Sequence, residues 1–232
     1  MFEFDFSLLL RGQYHEMLVA GLLLSLKLAA VTLVFAVPLA MLVALLRLAP
    51  LRALQWLGFA YVESIRNVPL LAHMLFWYFA APEWLPEDLK AWLYAGNIEA
   101  ASAIVALTLY TAAFMSEDMR SGIRAVPTVQ LEAARALGFG YLASMRLVIL
   151  PQALRITVPP LISQTLNLWK NTSIATVIGV AELMYQAGQV ESSTFRSFES
   201  FAFATAAYLS VSLLITGATA WYQQRYPGVE RR

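Results

Sequence analysis

Long apolar stretches alternate with short polar ones along this chain. They cover about 17–46, 54–80, 98–116, 157–181 and 201–222, near or above the roughly 20 residues a helix needs to cross a hydrocarbon core. Polar or proline-bearing segments separate them: Leu48-Ala49-Pro50, Pro82 to Asn97, Ser116 to Ile156, and Glu182 to Ser200. The expected fold is an all-α integral membrane protein, a single transmembrane domain over residues 1–232 with five transmembrane helices. One loop, about 117–156 between the third and fourth helices, is far longer than the others.

Composition explains why the bilayer must be the solvent. Of 232 residues, 59% are hydrophobic and 13% charged, with a mean hydropathy of +0.63. Soluble domains carry about 45–50% apolar and about 25% charged residues, so this much apolar surface cannot hide inside one soluble core. A net charge of +1 argues against a nucleic-acid partner, which needs a concentrated basic face. The absence of cysteine excludes disulfides, zinc–thiolate sites and thiol nucleophiles. The start, Met1-Phe2-Glu3-Phe4-Asp5-Phe6, lacks the basic residues of a cleaved signal peptide, so the first apolar stretch is expected to be retained.

Charge orients the spans. An external N-terminus puts Arg47 and Arg52, then Arg120, Arg124, Arg135, Arg146 and Arg155, and finally Arg225, Arg231 and Arg232 on the cytoplasmic side. The opposite loops carry Glu83, Glu87, Asp88, Glu182, Glu191 and Glu199 against Lys90 and Arg196. That asymmetry follows the positive-inside rule and places the long loop and the C-terminus in the cytoplasm. Trp77, Tyr78 and Trp84 at one edge, and Trp221, Tyr222 and Tyr226 at the other, suit the headgroup region.

The long loop is not a linker. Thr128 after Pro127 is a candidate helix cap, and Glu132-Ala133-Ala134-Arg135-Ala136 has high helix propensity. Gly138 and Gly140 can take positive φ and stop that helix. A second amphipathic stretch follows to Pro151. The loop therefore reads as helix, glycine turn, helix.

Glu132-Ala133-Ala134, Gly138, Val148 and Leu150-Pro151 resemble the Glu-Ala-Ala loop of binding-protein-dependent ABC import permeases, with Val148 where isoleucine is usual. Arg66-Asn67-Val68-Pro69-Leu70-Leu71, the run Asn167 to Ser173, and Ile178-Gly179 are similar to the polar amino-acid permeases of histidine, arginine, glutamine and glutamate/aspartate transporters. Asn67 to Leu71, Trp77-Tyr78-Phe79 and Pro82 to Pro86 look most like the glutamate/aspartate branch. The resemblance implies an ATP-driven amino-acid importer of the bacterial inner membrane, with Glu132, Ala133, Ala134 and Gly138 coupling to an ABC ATPase homodimer. It also implies a sister or identical permease and an external amino-acid binding protein as partners, besides membrane lipid. ATP and magnesium would be bound by the ATPase, with no cofactor in this chain. That agrees with the absence of a Gly-x-x-x-x-Gly-Lys-Ser/Thr phosphate loop from the sequence.

Charged and amide side chains at membrane depth are costly and so mark candidate sites. The second stretch holds Glu63, Arg66, Asn67 and His73; the fourth holds Gln164, Asn167, Lys170 and Asn171. Glu63, Arg66, Asn67, Gln164, Asn167, Lys170 and Asn171 are the candidate substrate-binding residues: two cations and several amides suit a carboxylate and an α-amino group. Pro69 can kink its span, and broken helices commonly border transport sites. The competing reading pairs Glu63 with Arg66 on one helix face and leaves Lys170 to backbone carbonyls or an aqueous vestibule. His73 reads as a packed polar residue rather than a proton relay. Catalytic residues and metal ligands are not expected, since two distant histidines and no cysteine offer no constellation. The alternatives are a permease for another small polar solute, or an ion-coupled carrier or channel.

Overall fold

The computed structural model describes Leu9 and residues 11–226, and its regular elements are helices. Helix α1 spans Gln13–Leu48, α2 Arg52–Arg66, α3 Leu70–Leu75, α4 Glu87–Ala95 and α5 Ile98–Arg124. Helix α6 spans Thr128–Ala136, α7 Tyr141–Ser144, α8 Leu150–Asn171, α9 Leu183–Thr194 and α10 Ser197–Arg225. The acidic N-terminal start, Arg231 and Arg232 lie outside the described residues.

Among the described residues, four segments are long and apolar enough to cross a membrane: Gln13–Leu48, Ile98–Arg124, Tyr141–Ile178 and Ser197–Arg225. The second expected span is not one rod. Its helix stops at Arg66, Asn67 caps it, and after Pro69 the chain restarts as α3, a π turn Phe76–Ala80 and a 3₁₀ turn Ala81–Trp84. Proline has no N–H to offer the carbonyl four residues back, which is that of Ile65. His73 Nε2 bonds that carbonyl at 3.0 Å instead, so the break is stabilised by the segment it creates.

The third expected span continues as helix to Arg124, well past Ser116. Glu117 and Asp118 end the apolar run, but both are paired across the bundle. Glu117 meets Arg47 of α1 at 3.1 Å and accepts from Arg120 Nε at 3.0 Å; Asp118 accepts from Gln164 of α8 at 3.0 Å. The fourth expected span likewise begins early. Helix α7, the π turn Met145–Ile149, α8 and the 3₁₀ segment Thr172–Ile178 run as one 38-residue unit from Tyr141. The polar connections are not bare loops: α4 and α9 fill them. On α4, Lys90 donates to Glu83 at 2.6 Å, and that bond holds its ammonium pKa above the usual lysine value.

Two of the four core clusters among the described residues position the rest. Leu28 and Ala29 of α1, Leu70 and Met74 of α3, and Ala103, Ala106 and Leu107 of α5 bury one cluster with Leu168, Ala175 and Ile178. Ala36 and Ala40 pack on Ala112 and Met115 in a second, where small side chains let α1 and α5 approach closely. The pair Arg47–Glu117 places the C-terminal ends of these two helices together, so they run in the same direction. Small residues of α10 differ: Ala206, Gly217 and Ala218 are exposed.

Candidate functional site

Helix α8 carries Gln164, Asn167, Lys170 and Asn171 at helical spacing, and the structure gathers all four around one cavity of about 500 Å³. Tyr110, Thr111 and Phe114 of α5 form the opposite wall. The amides are ordered: Asn167 Nδ2 donates to Gln164 Oε1 at 3.3 Å, and Gln164 Nε2 donates to Asp118 Oδ2 at 3.0 Å. Lys170 is exposed to the cavity, and among the described residues its ammonium has no hydrogen-bond or ion-pair partner. Helix α8 gives way to 3₁₀ geometry at Thr172, next to Asn171, so the α-helical ladder is interrupted beside the polar cluster.

The second group arrives through aromatic contacts. The Arg66 guanidinium lies 4.7 Å from the Phe114 ring centroid, a cation–π distance. Phe114 sits 4.9 Å from Tyr110, and Tyr110 lies 6.1 Å from His73. Arg66 is thus held behind the cavity wall by Phe114 rather than neutralised by Glu63. Glu63 and Asn67 are occupied with each other: Asn67 Nδ2 donates to the Glu63 carboxylate at 2.9 Å and to its carbonyl at 2.8 Å, closing the end of α2. Neither lines the cavity. Of the residues expected from the sequence, four surround the cavity, Arg66 joins it through Phe114, and two support the helix end.

Tyr110, Phe114 and Asp118 were not anticipated. Their spacing of four places them on one face of α5, a pattern visible in the sequence but masked by its aromatic content, which reads as ordinary packing.

The long loop is compact. Helix α6 ends in a paired turn in which Gly138 N–H bonds the Arg135 carbonyl at 2.9 Å and Phe139 N–H bonds that of Ala134 at 3.1 Å. Gly138 holds φ +86°, a conformation that disfavours other residues, whereas Gly140 has φ −64°. Thr128 is the first helical residue rather than the cap; Pro127 occupies the cap position, and no side chain closes it. Ala134 is buried while Glu132, Ala133 and Gly138 are exposed, so the expected coupling residues divide between two faces. The inner face, with Leu131, packs on Val126, Ile149 and Ala153. The loop's roots are locked together, because a Cβ on Gly122 of α5 would overlap the Thr157 hydroxyl of α8.

The family of binding-protein-dependent transport system inner membrane components matches residues 36–227. The chain belongs to that family. It is a multi-pass membrane permease component, as its apolar helices require. Among curated relatives, the probable glutamine ABC transporter permease protein GlnM of Bacillus subtilis (strain 168) is 39% identical over 221 residues, covering 95% of this chain and 94% of that protein. The glutamate/aspartate import permease protein GltJ of Escherichia coli (strain K12) is 39% identical over 175 residues, covering 74% and 71%. GltK, a second glutamate/aspartate import permease protein, from Escherichia coli O6:H1, is 33% identical over 222 residues, covering 92% and 98%. The crystal structure of an amino acid ABC transporter with histidines superposes with TM-score 0.85 at 28% identity, covering 97% of this permease and 100% of that chain.

Proposed function

We propose that this permease pairs with a second permease, identical or sister, to form the pathway of an ATP-driven importer for polar amino acids, glutamate and aspartate foremost. The observation that carries the reading is the cavity between α5 and α8. An unpartnered Lys170 ammonium faces a row of amides there, with the Arg66 guanidinium behind its aromatic wall. Two cations suit a substrate with two carboxylates, and Asp118 at the end of the amide row suits its α-ammonium group. The family match and the relatives' names support the amino-acid class. A second reading, glutamine, is favoured by Gln164, Asn167 and Asn171, whose amides complement a carboxamide.

In this account the N-terminus is external and the basic ends of α1 and α5 face the cytoplasm of a bacterial cell. A binding protein delivers substrate from outside, and an ABC ATPase dimer holds ATP and magnesium. Helix α6 docks on that ATPase through its outer face. The exposure of Val129 (58%), Leu137 (78%) and Leu142 (81%) on an aqueous loop supports a covering partner. Nucleotide-driven closure then moves α6, and the Gly122–Thr157 crossing transmits the motion to α5 and α8 as alternating access.

The test is selectivity in reconstituted transporter. Lys170→Ala is expected to raise the KM for glutamate about tenfold or more, through loss of a charge-assisted contact of about 1.5–3 kcal/mol, and to affect glutamine less. The ATPase should remain associated. Equal kinetics in variant and parent would remove Lys170 from the substrate site.

A further inference from the structure

A second cavity, of about 410 Å³, lies where α1 ends, α2 begins and α5 ends. Its charged lining is all of one sign: Arg47, Arg120 and Arg124, with Gln55, Trp56 and Phe59 completing the wall. The volume falls within the about 300–1,000 Å³ typical of small-ligand sites.

These arginines are arranged rather than merely crowded. Arg47 is fixed three ways: its Nε meets Glu117 at 3.1 Å, its guanidinium lies 5.1 Å from the Phe59 ring centroid, and its stem packs on Gly58. Glu117 also takes Arg120, so one half-buried carboxylate orients two guanidinium groups and neutralises only one charge. Arg124 is exposed and, among the described residues, has no hydrogen-bond or ion-pair partner. The cavity keeps an excess of two positive charges, which calls for an anion with several acceptor oxygens. Guanidinium forks match phosphate oxygens well.

What lies beside the cavity selects the source of that anion. Trp56 is 67% exposed and edge-packed on Phe59, with ring centroids 5.4 Å apart. Leu57, next to Trp56 on α2, is 61% exposed. A soluble anion gains nothing from this apolar flank. A phospholipid does: its phosphate occupies the arginines, Trp56 sits at the headgroup level, and its acyl chains start from the apolar surface that Trp56 and Leu57 expose on α2.

We infer that this cavity is a binding site for the phosphate headgroup of an anionic phospholipid, held between α1, α2 and α5. It is separate from the α5–α8 cavity, and bound lipid would brace the α5 root of the long loop.

The whole transporter, this permease with its partner subunits, is stripped of lipid by detergent exchange. Phosphatidylglycerol or phosphatidylcholine is then titrated back and counted by native mass spectrometry. The parent should retain phosphatidylglycerol preferentially. Arg124→Gln, at an exposed position whose loss does not threaten folding, should weaken that retention about fivefold, and Arg124→Lys should largely restore it. Equal retention of the two lipids, or no effect of the Arg120→Gln/Arg124→Gln double variant, would overturn the site. Displacement of phosphatidylglycerol by millimolar glycerol phosphate would overturn the lipid in favour of a soluble anion. Cross-linking from position 56 to a partner subunit would show a protein surface in its place. None of these outcomes depends on which amino acid is transported.

Discussion

At the scale of single residues, one buried carboxylate in this bundle finds two of its partners on helices distant in sequence. Glu182 is fully buried, accepting from Ser25 of α1 at 3.1 Å, Tyr208 of α10 at 2.7 Å and the Tyr185 N–H at 2.9 Å. One carboxylate thus ties α1, α9 and α10 together. Glu182→Ala is expected to lower the thermal unfolding midpoint in detergent more than Tyr208→Phe. The first strands several buried groups at about 1–3 kcal/mol each, and the second removes one bond. An unchanged midpoint in Glu182→Ala would contradict the clasp. The sequence marks Glu182 only as a charge in a connection, because nothing local reveals a partner 157 positions away. Pro69 is different. Its kink follows from covalent structure and was legible; that His73 would take the freed Ile65 carbonyl was not, since that depends on how α3 restarts. His73→Phe should therefore destabilise by about 0.5–1.5 kcal/mol, since the Ile65 carbonyl keeps only the Val68 N–H at 3.4 Å, a loss visible in the same melting experiment.

At the scale of elements, hydropathy located the helices and misjudged their ends for one physical reason. A window scan treats Glu117 and Asp118 as a stop, whereas the fold pairs them with Arg47, Arg120 and Gln164 and continues the helix to Arg124. The break in the second stretch was foreseeable as a kink at Pro69 but not as four short pieces. The helix–turn–helix of the long loop was read correctly from Glu132-Ala133-Ala134 and Gly138, since glycine at the left-handed position is a local demand. Gly138→Pro should distort that turn and Glu132→Lys should reverse charge on its outer face. Both are expected to leave membrane insertion intact while ATPase activity no longer responds to substrate. Substrate-stimulated transport at parental rates in both variants would remove the coupling role of α6.

At the scale of the whole molecule, three faces of the permease are left uncovered. The α5–α8 cavity opens from the subunit, α10 exposes small residues, and the outer face of α6 carries uncovered apolar side chains. These are the faces that the proposed second permease and ATPase would cover. The candidate site was half legible: the four polar positions of α8 follow from their cost in a membrane, whereas Tyr110, Phe114 and Asp118 become visible only once α5 faces α8. The most direct measurement is uptake of radiolabelled glutamate, aspartate, glutamine, histidine and arginine into proteoliposomes. These would contain this permease with its partner subunits, with and without ATP and the external binding protein. The account predicts acidic amino-acid uptake that requires both. Uptake by the permease alone, indifferent to ATP, would contradict it.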